Sequence, residues 1–446
     1  MKRYHARWVV PITAPSIHDG TVVVHQGRIA YVGARASAPP GDDVDLEDAV
    51  LLPGLVNAHT HLELTAFRGL MPDVPFREWI VRLQMAKVTV MTPDRYLDAA
   101  RLGIAEGVRA GVTTYADTCD SGVALAAMCE MGVRGIMYQE VFCPSAEEAR
   151  VADTVAVLHR RLTELEPRQT PLVRLGISPH APYTVSDPLF AFAARAGYPL
   201  AVHIAESEAE TRFVRDGEGP FAEGLRNRGI PVAPRARSPI ALLGALGVLD
   251  ARPLLIHAVR IDDADIAAIA ASGATVAHCP VSNAKLGHGI APLDRLLAAN
   301  VAVGLGSDSM AANDRMDLLE EARVAALAQR TRTGRHDALA PRDALALATV
   351  GGARALGLAD RIGSLEVGKD ADLAAFPLPA GFGDANPEAA AVFALGGTPA
   401  RLVTVAGVLR AVDGRVLTGD RDVPGRVRDT ASRLAEHLVS RAPVPA

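Results

Sequence analysis

The chain has 446 residues, of which 49% are hydrophobic and 22% are charged, and its formal net charge is −5. This composition is typical of a folded globular protein and excludes a largely disordered chain. Acidic side chains (51) slightly outnumber basic ones (46), which excludes a surface built to neutralise nucleic acid. The length admits roughly one to three domains.

Cysteine usage and hydropathy indicate the compartment. The four cysteines, Cys119, Cys129, Cys143 and Cys279, lie far apart without a C-x-x-C pair, so we expect reduced thiols. The apolar residues near the amino terminus meet Pro11 too early to form a signal-peptide core. No stretch approaches the roughly 18 apolar residues that span a bilayer. We therefore expect a cytoplasmic protein that is not embedded in a membrane.

The two ends of the chain share a β-rich pattern. Residues 21–24 and 29–33 are separated by Gly27 and predict a hairpin. Near the carboxyl end, residues 363–373 read as a turn-rich strand region, and residues 403–407 and 412–417 predict another hairpin. We expect residues 1–54 and 360–446 to form one small β-sandwich module.

The middle of the chain, residues 55–359, has a different sequence pattern, in which short apolar runs alternate with helical segments. Thr92 and Pro93 mark one helix start, with a capping hydroxyl and a first-turn proline. The apolar runs are residues 55–59, 112–115, 133–142, 172–178, 200–205, 253–258, 274–279 and 302–306. Eight strands alternating with helices predict an α/β fold, a (β/α)8 TIM barrel.

Catalytic side chains of such barrels lie at the carboxyl ends of the strands. Polar residues end most of the predicted strands or follow them closely. In chain order they are His59, His61, His180, His203, Glu206, His257, His278 and Asp308. We expect them to meet at one mouth of the barrel.

Four of these residues suit a metal. His59 and His61 are two residues apart on an extended strand, so their rings share one face. With His203 and Asp308 they offer the nitrogen and oxygen donors that a borderline divalent cation such as zinc prefers. An isolated His-x-His pair is more often a surface accident. Here the polar ends of the other strands favour the metal site.

The remaining residues admit more than one role. His257 fits a ligand, a catalytic group or a core histidine, and Glu206 fits either a first-turn helix residue or a proton shuttle. His180 lies between Pro179 and Pro182, in a rigid loop that either faces a substrate or is only a turn. For His278 we favour a structural role.

Other types of site are excluded. Some metallohydrolase barrels bridge two metals with a lysine after the fourth strand, but this chain has no lysine near His180, which favours a single metal. The chain also lacks G-x-S-x-G, H-E-x-x-H and phosphate-loop motifs.

Residues 53–61, PGLVNAHTH, resemble the first-strand motif of the amidohydrolase superfamily, and the segments around His180, His203, His257 and Asp308 follow in the family's order. The resemblance covers nearly the whole chain and is greatest to the branch of aminopurine-nucleoside, guanine and triazine deaminases. It implies a TIM barrel with a two-ended β module, one divalent cation (zinc or iron(II)), a small aminated heterocycle as substrate, and a homo-oligomer. It also implies roles for individual residues: His59, His61, His203 and Asp308 as metal ligands, Glu206, His257 and Asp308 as catalytic residues, and His180 and Glu206 as substrate contacts.

Within that branch, residues 59–64 and 206–210 resemble aminodeoxyfutalosine deaminases, which act on a 6-aminopurine nucleoside in an alternative menaquinone route. Deaminases of methylthioadenosine and adenosylhomocysteine carry a ribose-binding glutamate after the first strand, and here Glu78 is the residue to test for that role. Deamination of methylthioadenosine, adenosylhomocysteine, guanine or a cytosine-like ring, and dechlorination of a triazine, are alternatives. A catalytically inactive scaffold is the alternative from another class.

Overall fold

A computed structural model describes residues 1–383 and 385–440 of the chain. Residue 384 and residues 441–446, which belong to the predicted end module, lie outside this description. The strands are Lys2–Val9 (β1), Ile17–His25 (β2), Arg28–Ala34 (β3), Asp42–Asp45 (β4), Ala49–Pro53 (β5), Leu55–Thr60 (β6), Val112–Cys119 (β7), Arg134–Val141 (β8), Val173–Pro179 (β9), Ala201–Ile204 (β10), Leu254–His257 (β11), Thr275–His278 (β12), Val303–Leu305 (β13), Leu373–Pro377 (β14), Leu402–Val405 (β15), Val408–Val412 (β16) and Arg415–Val416 (β17).

Helices connect the barrel strands, and further helices follow the last barrel strand. They are Phe76–Val90 (α1), Pro93–Arg109 (α2), Val123–Met131 (α3), Glu148–Leu165 (α4), Asp187–Arg195 (α5), Glu208–Asp216 (α6), Pro220–Arg226 (α7), Pro239–Ala245 (α8), Asp263–Ser272 (α9), Pro280–Lys285 (α10), Leu293–Ala298 (α11), Met310–Asn313 (α12), Leu318–Thr333 (α13), Pro341–Ala346 (α14), Gly352–Ala355 (α15), Pro387–Ala394 (α16) and Val423–Ser440 (α17). The Thr92 side chain accepts a hydrogen bond from the Arg95 amide at the start of α2, as its sequence predicts. Within the described ranges, no helix is both long and apolar enough to cross a membrane.

The barrel consists of two four-stranded parallel sheets, β6 to β9 and β10 to β13. A parallel bridge from Ile177 to Leu200 joins β9 to the segment before β10. A second bridge, from Thr60 to Asp308, joins the end of β6 to the segment after β13. These bridges close the ring, and each of the eight predicted runs coincides with one of its strands. The predicted TIM barrel is thereby confirmed.

The two chain ends share a nine-stranded mixed sheet. Strand β1 pairs antiparallel with β2 and parallel with β4 and β5, while β14 pairs antiparallel with β5. The predicted hairpin of β2 and β3 turns at Gln26 and Gly27, whose φ angles of 49° and 77° suit a type I′ turn. At the carboxyl end the predicted second strand of the hairpin is misplaced. The strand β15 pairs with β16, whereas residues 412–417 include the next turn and β17, which pairs with β16. Residues 363–372 are turns and loop, and the strand begins only at Leu373.

A buried ion pair fastens this sheet to the barrel. Arg134, the first residue of β8, is 1% exposed, and its Nε donates to Asp372 at 2.9 Å. Its Nη2 donates to Asp370 at 3.0 Å. Because both carboxylates precede β14, Arg134 connects a barrel strand directly to the end sheet.

Candidate metal and active site

Side chains from four strand ends converge at the carboxyl end of the barrel. The Nε2 atoms of His61 and His203 are 3.2 Å apart. Oδ1 of Asp308 lies 3.4 Å from Nε2 of His59 and 3.8 Å from Nε2 of His61. His257 joins His59 and His203, with one ring nitrogen of each within 4.8 Å of the others. The structure therefore brings all four predicted metal ligands together, with His257 beside them.

The electrostatics of these residues suit a divalent cation. Burial lowers the pKa of His59, His61 and His203, so their rings stay neutral with a lone pair free. Burial would raise the pKa of Asp308, but the neighbouring histidines outweigh it and hold the pKa far below the ordinary value. Neither ring nitrogen of His59 has a hydrogen-bond partner among the described residues. Neutral imidazoles, a carboxylate and an unsatisfied buried ring form a donor set that fits zinc or iron(II).

The backbone at two of these strand ends is strained. His257 and Asp308 have φ angles of 75° and 57°, a left-handed region that residues other than glycine rarely adopt. Hydrogen bonds hold Asp308 in this conformation: its amide donates to His59 O at 3.0 Å, and its Oδ1 accepts from the Ser309 amide at 2.6 Å. Ser282 Oγ donates to its Oδ2 at 2.5 Å. Strain that is held in place this way is characteristic of functional sites.

A glycine leaves room for His59. A Cβ atom on Gly306 would lie 2.8 Å from the Cβ of His59 and 3.0 Å from Sγ of Cys279. Real Cβ contacts are not that short, so any larger residue at position 306 displaces His59. Gly306 thus allows β6 and the segment after β13 to approach closely enough for His59 and Asp308 to meet.

Glu206 lies in a second cluster that adjoins the first. Its Oε1 is 3.5 Å from Nε2 of His257 and 3.2 Å from Nε2 of His288. Burial would raise the pKa of Glu206, but these two histidines outweigh it and hold the pKa below its ordinary value. His257 is oriented in turn by Asn283, whose Oδ1 is 3.0 Å from its Nδ1. Glu206 is therefore a buried anion that faces two imidazoles.

Three supporting residues are not among the predicted site residues. His288 follows α10 and is brought to Glu206 by chain folding, which no local pattern signals. Asn283 lies within α10. Glu210 accepts hydrogen bonds from the amides of Ala205 and Glu206 at 2.9 and 2.8 Å and so fixes the segment that carries Glu206. The sequence could have indicated Glu210, because Ser207 caps α6 and places Glu210 in the first turn of that helix.

His180 and His278 have different surroundings. His180 lines the pocket, its Nδ1 is 2.8 Å from Oγ1 of Thr184, and burial lowers its pKa to about 4. Its ring centroid lies 4.8 Å from that of His203. His278 is buried outside the pocket wall that the structure describes, and a structural role for it is still a prediction.

Both clusters open into one pocket. Its polar wall includes Gln84, Lys87, Glu140 and Ser309 in addition to the residues above. Its apolar wall consists of Leu64, Phe76, Trp79, Ile80, Leu83, Phe142, Tyr183 and Leu286. Such a wall suits a flat aromatic ring. Glu78 is outside this wall, and its carboxylate pairs with Arg82 at 2.6 Å.

Known proteins resemble this chain over nearly its full length. A 5-methylthioadenosine/S-adenosylhomocysteine deaminase of Desulforudis audaxviator is 34% identical, with 97% of this chain and 98% of that protein covered. An adenosine deaminase of Xanthomonas campestris, solved with bound zinc, is 30% identical with a TM-score of 0.85, and 98% of each chain is covered. An aminofutalosine deaminase of Helicobacter pylori is 20% identical with a TM-score of 0.80, covering 92% of this chain and 100% of that one. The last likeness shows a shared fold.

A family model for amidohydrolases matches residues 50–409, which include the entire barrel and all the site residues described above. Together with the closed barrel and relatives more than 30% identical, this match shows that the chain belongs to the amidohydrolase family.

Proposed function

We propose that this protein is a metal-dependent hydrolytic deaminase of a 6-aminopurine nucleoside, with aminodeoxyfutalosine as its preferred substrate. The observation that carries the reaction type is the placement of the Glu206 anion beside the four-donor cluster, in a pocket with an aromatic wall. The names of the relatives, which are deaminases of adenosine-like compounds, support the same class of substrate.

In this proposal His59, His61, His203 and Asp308 hold the cation, and zinc is the first choice because the Xanthomonas relative was solved with it. A bound divalent cation supplies a water whose pKa is lowered to roughly 7. Asp308 accepts a proton from the attacking water. His257, which lies beside these donors, orients this water and stabilises the developing charge.

Glu206 moves one of the two protons of the water. As a buried anion it takes up this proton and delivers it to the ring nitrogen beside the carbon that bears the amine, which makes addition to that carbon easier. The other proton, accepted by Asp308, reaches the amine, which leaves as ammonia. His180, on the neighbouring strand end, contacts the substrate.

Position 78 bears on the choice of substrate. Glu78 lies outside the pocket wall and pairs with Arg82, so it does not offer the ribose-binding carboxylate associated with methylthioadenosine and adenosylhomocysteine deaminases. This observation favours aminodeoxyfutalosine. The relatives' names favour the second candidate, deamination of methylthioadenosine or adenosylhomocysteine.

Ammonia release measured side by side separates these candidates. The panel is aminodeoxyfutalosine, adenosine, methylthioadenosine, adenosylhomocysteine and guanine, with zinc-loaded enzyme. We expect the highest kcat/KM for aminodeoxyfutalosine. A higher value for methylthioadenosine or adenosylhomocysteine would establish the second candidate, and no release from any 6-aminopurine would refute both.

A further inference from the structure

Glu140, near the end of β8, is a buried carboxyl that the steps above do not use. It lines the pocket, yet it is only 7% exposed. One of its oxygens lies within 4.8 Å of a ring nitrogen of His61 and of His203. Among the described residues its Oε1 has no hydrogen-bond partner. A buried carboxyl without a partner is costly, so the occupant of the pocket is expected to supply a donor.

The nearby cation does not fill this role. Lys87 of α1 also lines the pocket, but its Nζ is engaged by Glu63 at 3.3 Å and by Asp120 at 3.0 Å. Within the described residues neither of these contacts involves Glu140, and no ion pair joins Lys87 to it. The positive charge of Lys87 therefore favours the ionised form of Glu140 without a hydrogen bond to it. The Glu140 carboxyl can then form its hydrogen bond with a ligand.

The position of Glu140 identifies the part of the ligand that it meets. Glu206 and His257, which face the reacting ring carbon in the proposed function, follow β10 and β11. Glu140 is on β8, which lies on the opposite side of β10 from β11 in the ring of strands. A substrate whose reacting carbon meets Glu206 and His257 would direct the group attached to its ring to this side. The α1 wall contributes apolar side chains, Gln84 and the engaged Lys87, and Glu78 is outside the pocket. Glu140 is thus the carboxyl placed to meet a sugar.

We propose that Glu140 selects ribonucleosides by forming a hydrogen bond with a hydroxyl of the ribose. The inference rests on the proposed function for its substrate class. Either protonation state serves, because an ionised carboxyl accepts from a hydroxyl and a protonated one also donates.

Binding of purine riboside, which lacks the 6-amino group, tests the proposal without turnover. Calorimetry on zinc-loaded enzyme compares it with its 2′-deoxy and 3′-deoxy analogues. We expect wild type to bind the riboside roughly 3- to 100-fold more tightly than at least one analogue, a range that extends from a hydrogen bond between neutral groups to one with a charged group. Glu140→Ala should abolish this preference, and Glu140→Gln should retain part of it, with metal content equal to that of wild type.

Glu63→Gln is the matched control, because it removes a carboxylate that is also buried and also close to Lys87 but is outside the pocket wall. It should alter binding of the riboside and its analogues equally. Equal affinity of wild type for all three compounds, or loss of metal from Glu140→Ala, would overturn the proposal. If Glu140→Ala does not fold, the proposal is tested by two measurements: the preference of wild type for the riboside, and the reduction of that preference in Glu140→Gln.

The outcomes separate this inference from the proposed function. Ammonia release from 6-aminopurine nucleosides without discrimination between riboside and deoxyriboside refutes the role of Glu140 alone. Discrimination without ammonia release from any 6-aminopurine refutes the deaminase alone. Failure of all purine ribosides to bind refutes both.

Discussion

Nε2 of His288 lies 3.2 Å from Oε1 of Glu206, the same oxygen that is 3.5 Å from Nε2 of His257. The two imidazoles come from different segments, one at the end of β11 and one after α10. The ring of His288 is packed edge-on against Phe76 of α1, with centroids 4.5 Å apart. The carboxylate is therefore held between two rings, one of which is fixed by the apolar wall of the pocket.

This arrangement predicts that His288→Ala lowers kcat while metal content is unchanged. Without His288 the Glu206 carboxylate loses one neighbour, and its proton is no longer delivered from a fixed position. We expect a loss of roughly 10- to 100-fold, below the full contribution of general acid–base catalysis. Steady-state kinetics with metal analysis checks it, and His159→Ala, an exposed histidine of α4, is the control. Unchanged kcat would show that His288 only fills space.

Substitution of a metal ligand and substitution of Glu206 should have different effects, the first on metal content and the second on turnover. His59→Ala should lose the cation, because the remaining donors cannot complete the site. Glu206→Gln should keep the cation and lose about 10²- to 10⁴-fold in kcat, as for removal of a general acid–base. Metal analysis of both variants beside their kinetics tests this. A fully active Glu206→Gln enzyme would contradict the proton-transfer role.

Glu210 predicts a pH dependence of stability. Burial raises its pKa to about 8, whereas in the unfolded chain a glutamate titrates near its ordinary value of roughly 4.3. The folded state therefore binds the proton more tightly, and the contribution of Glu210 is fully present below the unfolded pKa and lost as pH rises towards 8.

Denaturant unfolding between pH 4.5 and 8.5 measures this effect. In Glu210→Gln the decline of the unfolding free energy with pH should be shallower than in wild type, since the variant side chain does not titrate. Glu208→Gln, an exposed neighbour on the same helix, is the control and should follow wild type. Parallel curves for wild type and Glu210→Gln would show that Glu210 stays ionised.

Arg134 predicts a large loss of stability far from the catalytic groups. Arg134→Met leaves Asp372 without its buried cationic partner, while Asp370 keeps the half-exposed Arg361. Removal of one member of a buried ion pair typically costs about 3–5 kcal/mol. Arg150→Ala, which breaks an exposed pair with Glu147, should change the unfolding free energy by less than about 1 kcal/mol. Thermal and chemical unfolding of both variants tests the difference. Similar stabilities would mean that Arg134 does not fasten the end sheet to the barrel.

The barrel and the meeting of the predicted ligands were accessible from the sequence, because both follow from local signals. Each strand is a short apolar run, and polar residues such as His203 and Asp308 lie at or just after the carboxyl end of such a run. In a parallel barrel such positions converge by symmetry, so their distance along the chain does not matter. The roles of these residues, and the division into residues 55–359 and an end module of residues 1–54 and 360–446, are still predictions.

The residues that the sequence did not reveal depend on tertiary structure. His288 reaches Glu206 through the path of the chain after α10, and Glu140 is one of several polar residues in a strand that also contains Gln139. The engagement of Lys87 by Glu63 and Asp120 joins α1 to the segments after β6 and β7. No periodicity or capping motif encodes these contacts, since each depends on how separate elements pack.

The bridge between Thr60 and Asp308 closes the barrel where its first strand meets the segment after its last. His59 and His61 belong to one half of the ring, whereas His203 and Asp308 belong to the other. A cation bound by all four residues would link the two four-stranded sheets of the barrel. Separating these sheets would then require release of the cation, so chelation should lower the stability of the whole barrel as well as abolish activity.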